Sequence, residues 1–157
     1  MAQSKSQSNN DLLKTLEKMD RAYASGSKSW FDYLDDNVIV YTNSSAEPIK
    51  GRSNYASNFS KLLGSTRRKL QILSRQVQSV GNVHVVYQVV QVTQEGVVVN
   101  MKQSQVWTQT DKGPKINHMH TSVLGTPQAI SPALRASAIN VINEKIATVA
   151  TAVGVAQ

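Results

Sequence analysis

The chain changes its hydrophobic period once. From Asn10 or Asp11, either a good helix N-cap, Leu12, Leu13, Leu16, Met19 and Tyr23 recur at helical spacing until "ASGS" interrupts them, which predicts a first helix. In "SKSWFDYLDD", Ser29 stands three residues ahead of Asp32, a spacing that caps a short second helix burying Trp30, Phe31 and Leu34. "NVIVYTN" reads as a strand. After the polar "SSAEP" loop, "RSNYASNFSKLLG" returns to a helical stripe of Tyr55, Phe59, Leu62 and Leu63, with Ser53 as its cap. From Lys69 onward the period is that of strands. Residues 69 to 79, 83 to 94, 97 to 109 and 115 to 124 are rich in Val, Ile, Thr and Gln, and "VGN", "QEG" and "TDKGPK" separate them.

Connections this short join antiparallel neighbours, so the four strands form a meander. They exceed the usual strand length of about five or six residues, which implies a twisted, curved sheet. The hollow of such a sheet must be filled, and the N-terminal helices are what can fill it. The fold class expected is therefore α+β: a cone-shaped, curved antiparallel sheet wrapped around N-terminal helices, with an extra C-terminal helix. Residues 1–9, which lack apolar periodicity, are expected to be a disordered tail, residues 10–126 the domain, and residues 127–157 a helical extension. In that extension Leu134, Ala138, Val141, Ile142, Ile146 and Val149 make a stripe that needs covering, at home or by a partner.

Charge narrows the partners less than it first suggests. Lys and Arg number 17 against 10 acidic residues, a formal net charge of +7. Arg67, Arg68, Lys69, Arg75, Lys112 and Lys115 are scattered among apolar residues and turns, with no basic-aromatic stacking motif. They are expected to be a solvated rim, and nucleic acid is not an expected partner. Cysteine is absent, which removes disulfides, thiolate metal ligation and cysteine nucleophiles. The N-terminal "MAQSKSQSNN" has no apolar core segment and no run approaches the roughly 18 residues of a membrane span. A cytoplasmic protein without a membrane partner is the expectation.

Chemistry concentrates in "INHMHTSV". His118 and His120 are two apart on a strand, which supplies at most two metal ligands; His84 lies on another strand, and no metal or cofactor is expected. For acid/base work the candidates are His120 with Tyr41 or Tyr55, and Asp32 if it points inward. Alternation puts Ile116, His118, His120, Ser122 and Leu124 on one face and Asn117, Met119, Thr121 and Val123 on the other. A bulge between 116 and 121 would reverse part of that division. Gln88, Gln91, Gln94, Gln103, Gln105 and Gln109 form a density of amides that lines either a polar interior or a wet interface.

Two stretches carry a resemblance. "LLKTLEKMDRAYASGSKSWFDYLDDNVIVYTNSSAEPIKGRSNYASNFSKLL" resembles the opening of the nuclear-transport-factor-2-like superfamily, SnoaL-like branch, and "SQVWTQTDKGPKINHMHTS" resembles its paired closing strands. The Val-Trp pair, the charged Gly-containing turn and the His-x-His are similar to those of the calcium/calmodulin-dependent protein kinase II association domain. The resemblance spans about residues 11 to 126. It implies a pocket between helices and sheet, and assembly into a homodimer or higher through the outer face of the sheet, with His118 and His120 at the interface. In the association domain the pocket carries arginines on three strands; here those positions hold Gln91, Gln105 and Thr121, and the helix positions hold Tyr55 and Leu63. With Phe59, Trp107 and Met119 these residues make a pocket expected to be mostly neutral and to take a small uncharged organic molecule. The leading expectation is a homo-oligomeric association or ligand-binding domain. Its alternatives are a cofactor-independent cyclase, isomerase or dehydratase using His120, Asp32 or Tyr41, and a protein adaptor that docks through the C-terminal helix.

Overall fold

The computed structural model describes residues 2–43, 45–64 and 67–124, with side chains in 9–43, 45–60 and 67–124. The expected C-terminal helix, and the adaptor role built on it, lie outside the described residues. Residues 1–124 form one compact unit. Helix α1 spans Ala2–Ser25. It begins well ahead of the expected start at Asn10 or Asp11, through polar residues that include neither Gly nor Pro and so leave the helical path open. Its buried stripe is Leu12, Leu16, Met19 and Ala22; Leu13, placed in that stripe by spacing, lies off it and is exposed. A 3-10 helix, Lys28–Tyr33, follows, capped by Ser27 rather than Ser29: the Ser27 side chain accepts from Ser29 N at 3.2 Å. It buries Trp30 and Phe31.

Strand β1 (Leu34–Tyr41) pairs antiparallel with the two-residue β2 (Ile49–Lys50). Gly51 then turns the chain into α2 (Arg52–Gly64) at φ +89°, with Gly51 N donating to Val38 O at 2.8 Å. Gly51 O accepts from Tyr55 N at 3.1 Å, so the expected cap Ser53 sits inside the first turn.

The strands β3 (Lys69–Val80), β4 (Val83–Gln94), β5 (Val97–Thr110) and β6 (Gly113–Leu124) form the meander that the period predicted. Between β4 and β5, Glu95 and Gly96 both take positive φ, which the two-residue hairpin turn of matching twist demands. The sheet is six-stranded, open and curved, in the order β2-β1-β6-β5-β4-β3. β1 lies parallel to β6, a pairing the local pattern did not announce. The fold is thus α+β, helices against one face of a curved sheet. Its core joins Leu12, Leu16 and Met19 of α1 to Phe31, Leu34, Val38, Val40, Val86, Trp107, Ile116 and Met119.

Register shifts decide the faces. Between β5 and β6, Val106 pairs with His118 but Trp107 pairs with Ile116, so Asn117 is bulged out. Ile116 is fully buried and shares the inner face with Met119 and Thr121. This corrects its assignment to the histidine face, and the cause is the bulge: one extra residue inverts the alternation on one side of it. On β4 the buried residues are His84, Val86, Gln88, Val90 and Val92, so Gln91 lies on the outer face, where its Nε2 donates to Asn100 Oδ1 at 3.1 Å.

Candidate functional site

Between the helices and the open end of the sheet is a cavity of about 300 Å³. Helix residues Tyr23, Trp30, Tyr55 and Phe59 form one wall; Thr42 and Asn43 follow β1; Gln94, Met101, Gln103, Thr121 and Val123 come from β4, β5 and β6; and Arg68 closes the side before β3. The aromatic wall is packed ring on ring. Tyr55 stacks on Phe59 with centroids 4.5 Å apart, and Trp30 lies 5.8 Å from Tyr55 and 6.2 Å from Tyr23. Helical spacing on α2 puts Tyr55 and Phe59 on the same face, one turn apart.

Two arginines organise the polar wall, and neither is in the solvated rim expected from their scatter. Arg68 is buried, held by its backbone N–H to Ala24 O at 2.9 Å. Its Nε donates to Gln94 Oε1 at 3.2 Å, its Nη1 to Tyr23 O at 3.2 Å, and its guanidinium stands 4.9 Å over the Tyr23 ring. Arg75 sits deeper along β3, paired with both carboxylate oxygens of Asp20 at 2.9 Å. Local sequence could not show this, because both arginines are covered by α1, whose docking is a long-range event. The cavity wall therefore carries one cationic side chain, Arg68, among otherwise neutral residues.

From Arg75 a row of side chains crosses the inner face of the sheet. Arg75 pairs in register with Gln88, Gln88 with Gln103, and Gln103 with Thr121. Arg75 Nε donates to Gln88 Oε1 at 2.8 Å, Gln88 Nε2 to Gln103 Oε1 at 2.6 Å, and Gln103 Nε2 to Thr121 Oγ1 at 3.3 Å. Asn43 is fastened to the end of this row: with its amide oriented to satisfy both groups, it donates to Thr121 O at 3.3 Å and accepts from Val123 N at 2.6 Å. Burial raises the Tyr55 hydroxyl well above the usual phenol range, and the neighbouring Tyr23 pushes it further up. Tyr23 is raised by burial too, against an opposing effect of the Arg68 charge. Both phenols stay protonated at neutral pH.

The sequence-predicted site residues divide three ways. Tyr55, Phe59 and Thr121 line the cavity. Gln105, Trp107 and Met119 lie in the core beneath it, where Trp107 Nε1 donates to Gln105 Oε1 at 2.9 Å; a small side pocket beside Met19 and Asp20 reaches Gln105. Gln91 is on the other face, and the side chain of Leu63 lies outside the described residues. Of the acid/base candidates, Tyr55 alone lines the cavity, and Asp32, Tyr41 and His120 do not reach it. Asp32 is exposed, and its carbonyl oxygen accepts from Lys115 Nζ. Tyr41, His118 and His120 cluster on the outer face, with ring centroids 6.1 and 6.4 Å from Tyr41 to the two imidazoles. His84 is buried on the inner face and bonds Ser79 Oγ through Nδ1 at 2.7 Å, so the three histidines do not share a face. Not expected in the lining were Tyr23, Trp30, Thr42, Asn43, Arg68, Met101 and Val123. Gln94 and Gln103 had a signal in the density of amides at strand spacing.

The outer face has its own character. Ile39, Tyr41, Val83, Tyr87 and Val98 are exposed on it. One row runs Tyr41, His120, Ser104, Tyr87, Gln76 across five strands. An open depression of about 390 Å³ follows this row, with Lys102 and Ser122 alongside.

This course of the backbone is similar to that of solved structures. An NTF2-like protein of unknown function from Pseudomonas putida KT2440 superposes with a TM-score of 0.66 at 12% identity, over 78% of this chain and 90% of that one. The fold is nuclear-transport-factor-2-like. A scytalone-dehydratase-like protein from Novosphingobium aromaticivorans DSM 12444 gives 0.69 at 9% identity, covering 80% and 89%. The calcium/calmodulin-dependent protein kinase II hub homology domain of Chlamydamonas reinhardtii gives 0.61 at 17%, covering 74% and 97%. No protein-family model and no curated protein matches the chain. No helix among the described residues is long and apolar enough to cross a membrane.

Proposed function

We propose that this is a self-associating domain whose cavity holds a small organic molecule with an apolar or aromatic body. The cavity carries the reading: about 300 Å³ faced chiefly by Tyr, Trp, Phe, Met and Val, with polar groups gathered at one wall. That is the make-up of a binding site in which burial supplies affinity and a few polar groups supply orientation. Ligand binding is favoured over acid/base catalysis because the ionisable residues of the lining are Tyr23, Tyr55 and Arg68, and burial keeps both phenols protonated. Assembly through the outer face is supported by its exposed Ile39, Tyr41, Tyr87 and Val98, and by likeness to kinase hub domains.

Indene, an apolar bicyclic hydrocarbon, serves as probe for the cavity in saturation-transfer NMR. The wild type is expected to bind it, and Val123→Trp, which plugs the rim, to weaken binding at least tenfold with unchanged circular dichroism. No binding by the wild type would overturn the cavity reading. For assembly, sedimentation at micromolar concentration is expected to give a dimer or larger, and Tyr87→Arg to shift it toward monomer. A wild-type monomer would refute self-association.

A further inference from the structure

The polar wall of the cavity has a fixed hydrogen-bond direction, and the direction comes from chemistry alone. An arginine can only donate, whichever way a neighbouring amide is drawn. Arg75 is held by both oxygens of Asp20, so the group that Gln88 turns toward it must be its carbonyl oxygen. The Gln88 amide nitrogen is then the end that reaches Gln103, which forces the Gln103 oxygen toward Gln88. The Gln103 nitrogen in turn faces Thr121 and donates to its Oγ1. A hydroxyl that accepts one bond has its proton and one lone pair left, and among the described residues no acceptor takes the Thr121 proton. The second proton of the Gln103 amide is likewise uncommitted at the cavity wall. The same logic runs from the other arginine: Arg68 takes the Gln94 oxygen and leaves the Gln94 NH2 as the end available to the cavity.

From these two arginine-anchored chains we infer that the cavity selects a ligand whose polar group is purely an acceptor, such as a carbonyl oxygen, and that Asp20 and Arg75 act as positioning residues for this selectivity. Thr121 and Gln103 touch the acceptor, with Gln94 beside them. Asp20 and Arg75 act through two amides, without contact. A ligand that offers only an N–H to this wall faces the Gln103 and Gln94 NH2 groups and finds in Thr121 no more than a second lone pair, a poorer match than an acceptor makes.

The inference rests on the cavity being a ligand site, and three probes with the same number of heavy atoms separate the two claims: acetophenone as acceptor, indole as donor, and indene with neither. Dissociation constants come from ligand-observed NMR on the full chain. Acetophenone is expected to bind roughly five- to tenfold more tightly than indole. Gln103→Glu reverses the last link, because a carboxylate can only accept; Thr121 must then donate to it and offer the ligand a lone pair. That variant is expected to invert the order of acetophenone and indole. Thr121→Val, nearly equal in volume, removes one donor and leaves the two amides, and is expected to narrow the preference for acetophenone over indole without changing indene affinity. Arg75→Met, remote from the ligand, is expected to erode the preference without changing indene affinity, a result that loss of fold would not give. Failure of all three probes to bind the wild type overturns the site itself. Binding of all three with no preference, preference for indole, or an order unchanged in Gln103→Glu overturns the inference and leaves the site standing.

Discussion

Removing the Arg75 guanidinium tests the frame on which the cavity wall hangs. Arg75→Met keeps most of the aliphatic stem and deletes three charge-assisted hydrogen bonds, two to Asp20 and one to Gln88. The partners retain side-chain exposures of 16% and 20%, so water reaches the pair only in part. A fully exposed pair is worth about 0.2–1 kcal/mol, and breaking a fully buried one costs about 3–5 kcal/mol. Four-fifths burial places this case near the upper figure, discounted for the water that can still solvate the Asp20 carboxylate; the expected loss is about 2–4 kcal/mol. At a typical urea slope of about 1–3 kcal/mol per molar, the midpoint falls by roughly 1–2 M. Unfolding followed by tryptophan fluorescence, at one fixed protein concentration because assembly contributes to stability, measures it. The double-mutant cycle with Asp20→Asn is expected to return a coupling of about 1–3 kcal/mol, little changed between low and moderate salt, since a mostly buried pair is weakly screened. A loss under about 0.5 kcal/mol, or a coupling that vanishes in salt, would show that the pair behaves as a surface ion pair and would refute the reasoning.

Two other outcomes follow from backbone and burial. At Gly51, φ +89° lies where an L side chain is strained although a Cβ would meet only Asp36 O at 3.5 Å, an ordinary contact. Gly51→Ala is therefore expected to cost about 1–2 kcal/mol by thermal or urea unfolding, from conformation and not from a clash; no change would place the turn in a conformation open to alanine. The second concerns alkaline pH. Tyr55 has a folded-state pKa above its unfolded value of 10.0, so the unfolded chain loses that proton first and binds fewer protons through the window above pH 10. The stability it contributes is complete below pH 10 and falls as pH rises past it. In Tyr55→Phe the alkaline fall is expected to be shallower, and the difference in tyrosinate absorbance between wild type and Tyr55→Phe to appear only with unfolding; a difference that precedes unfolding would contradict the burial of Tyr55.

How far the sequence could be read depended on whether a feature was local. The strand periods from Lys69 to Leu124 mark the four long strands almost to the residue, because alternation and turn chemistry are properties of neighbours in sequence. The stripe of α1 and the Tyr55 and Phe59 face of α2 were legible for the same reason. Ser27 took the cap expected of Ser29, a two-residue displacement that spacing alone does not resolve. The bulge at Asn117 moved Ile116 to the inner face, and Gln91 fell on the outer one, since a face is set by strand register and not by residue type.

By itself, then, the sequence determined the elements, their antiparallel succession and the presence of more amides than a surface needs. The tertiary structure alone decided which of those amides point inward, and that Arg68 and Arg75 are covered by α1. It also placed His118, His120 and Tyr41 on the outside of the sheet and Asp20 opposite Arg75, 55 positions away. The physical reason is one of range: helix and strand periods are written in contacts a few residues apart. The direction of hydrogen bonds across Arg75, Gln88, Gln103 and Thr121 exists only once β3, β4, β5 and β6 lie side by side.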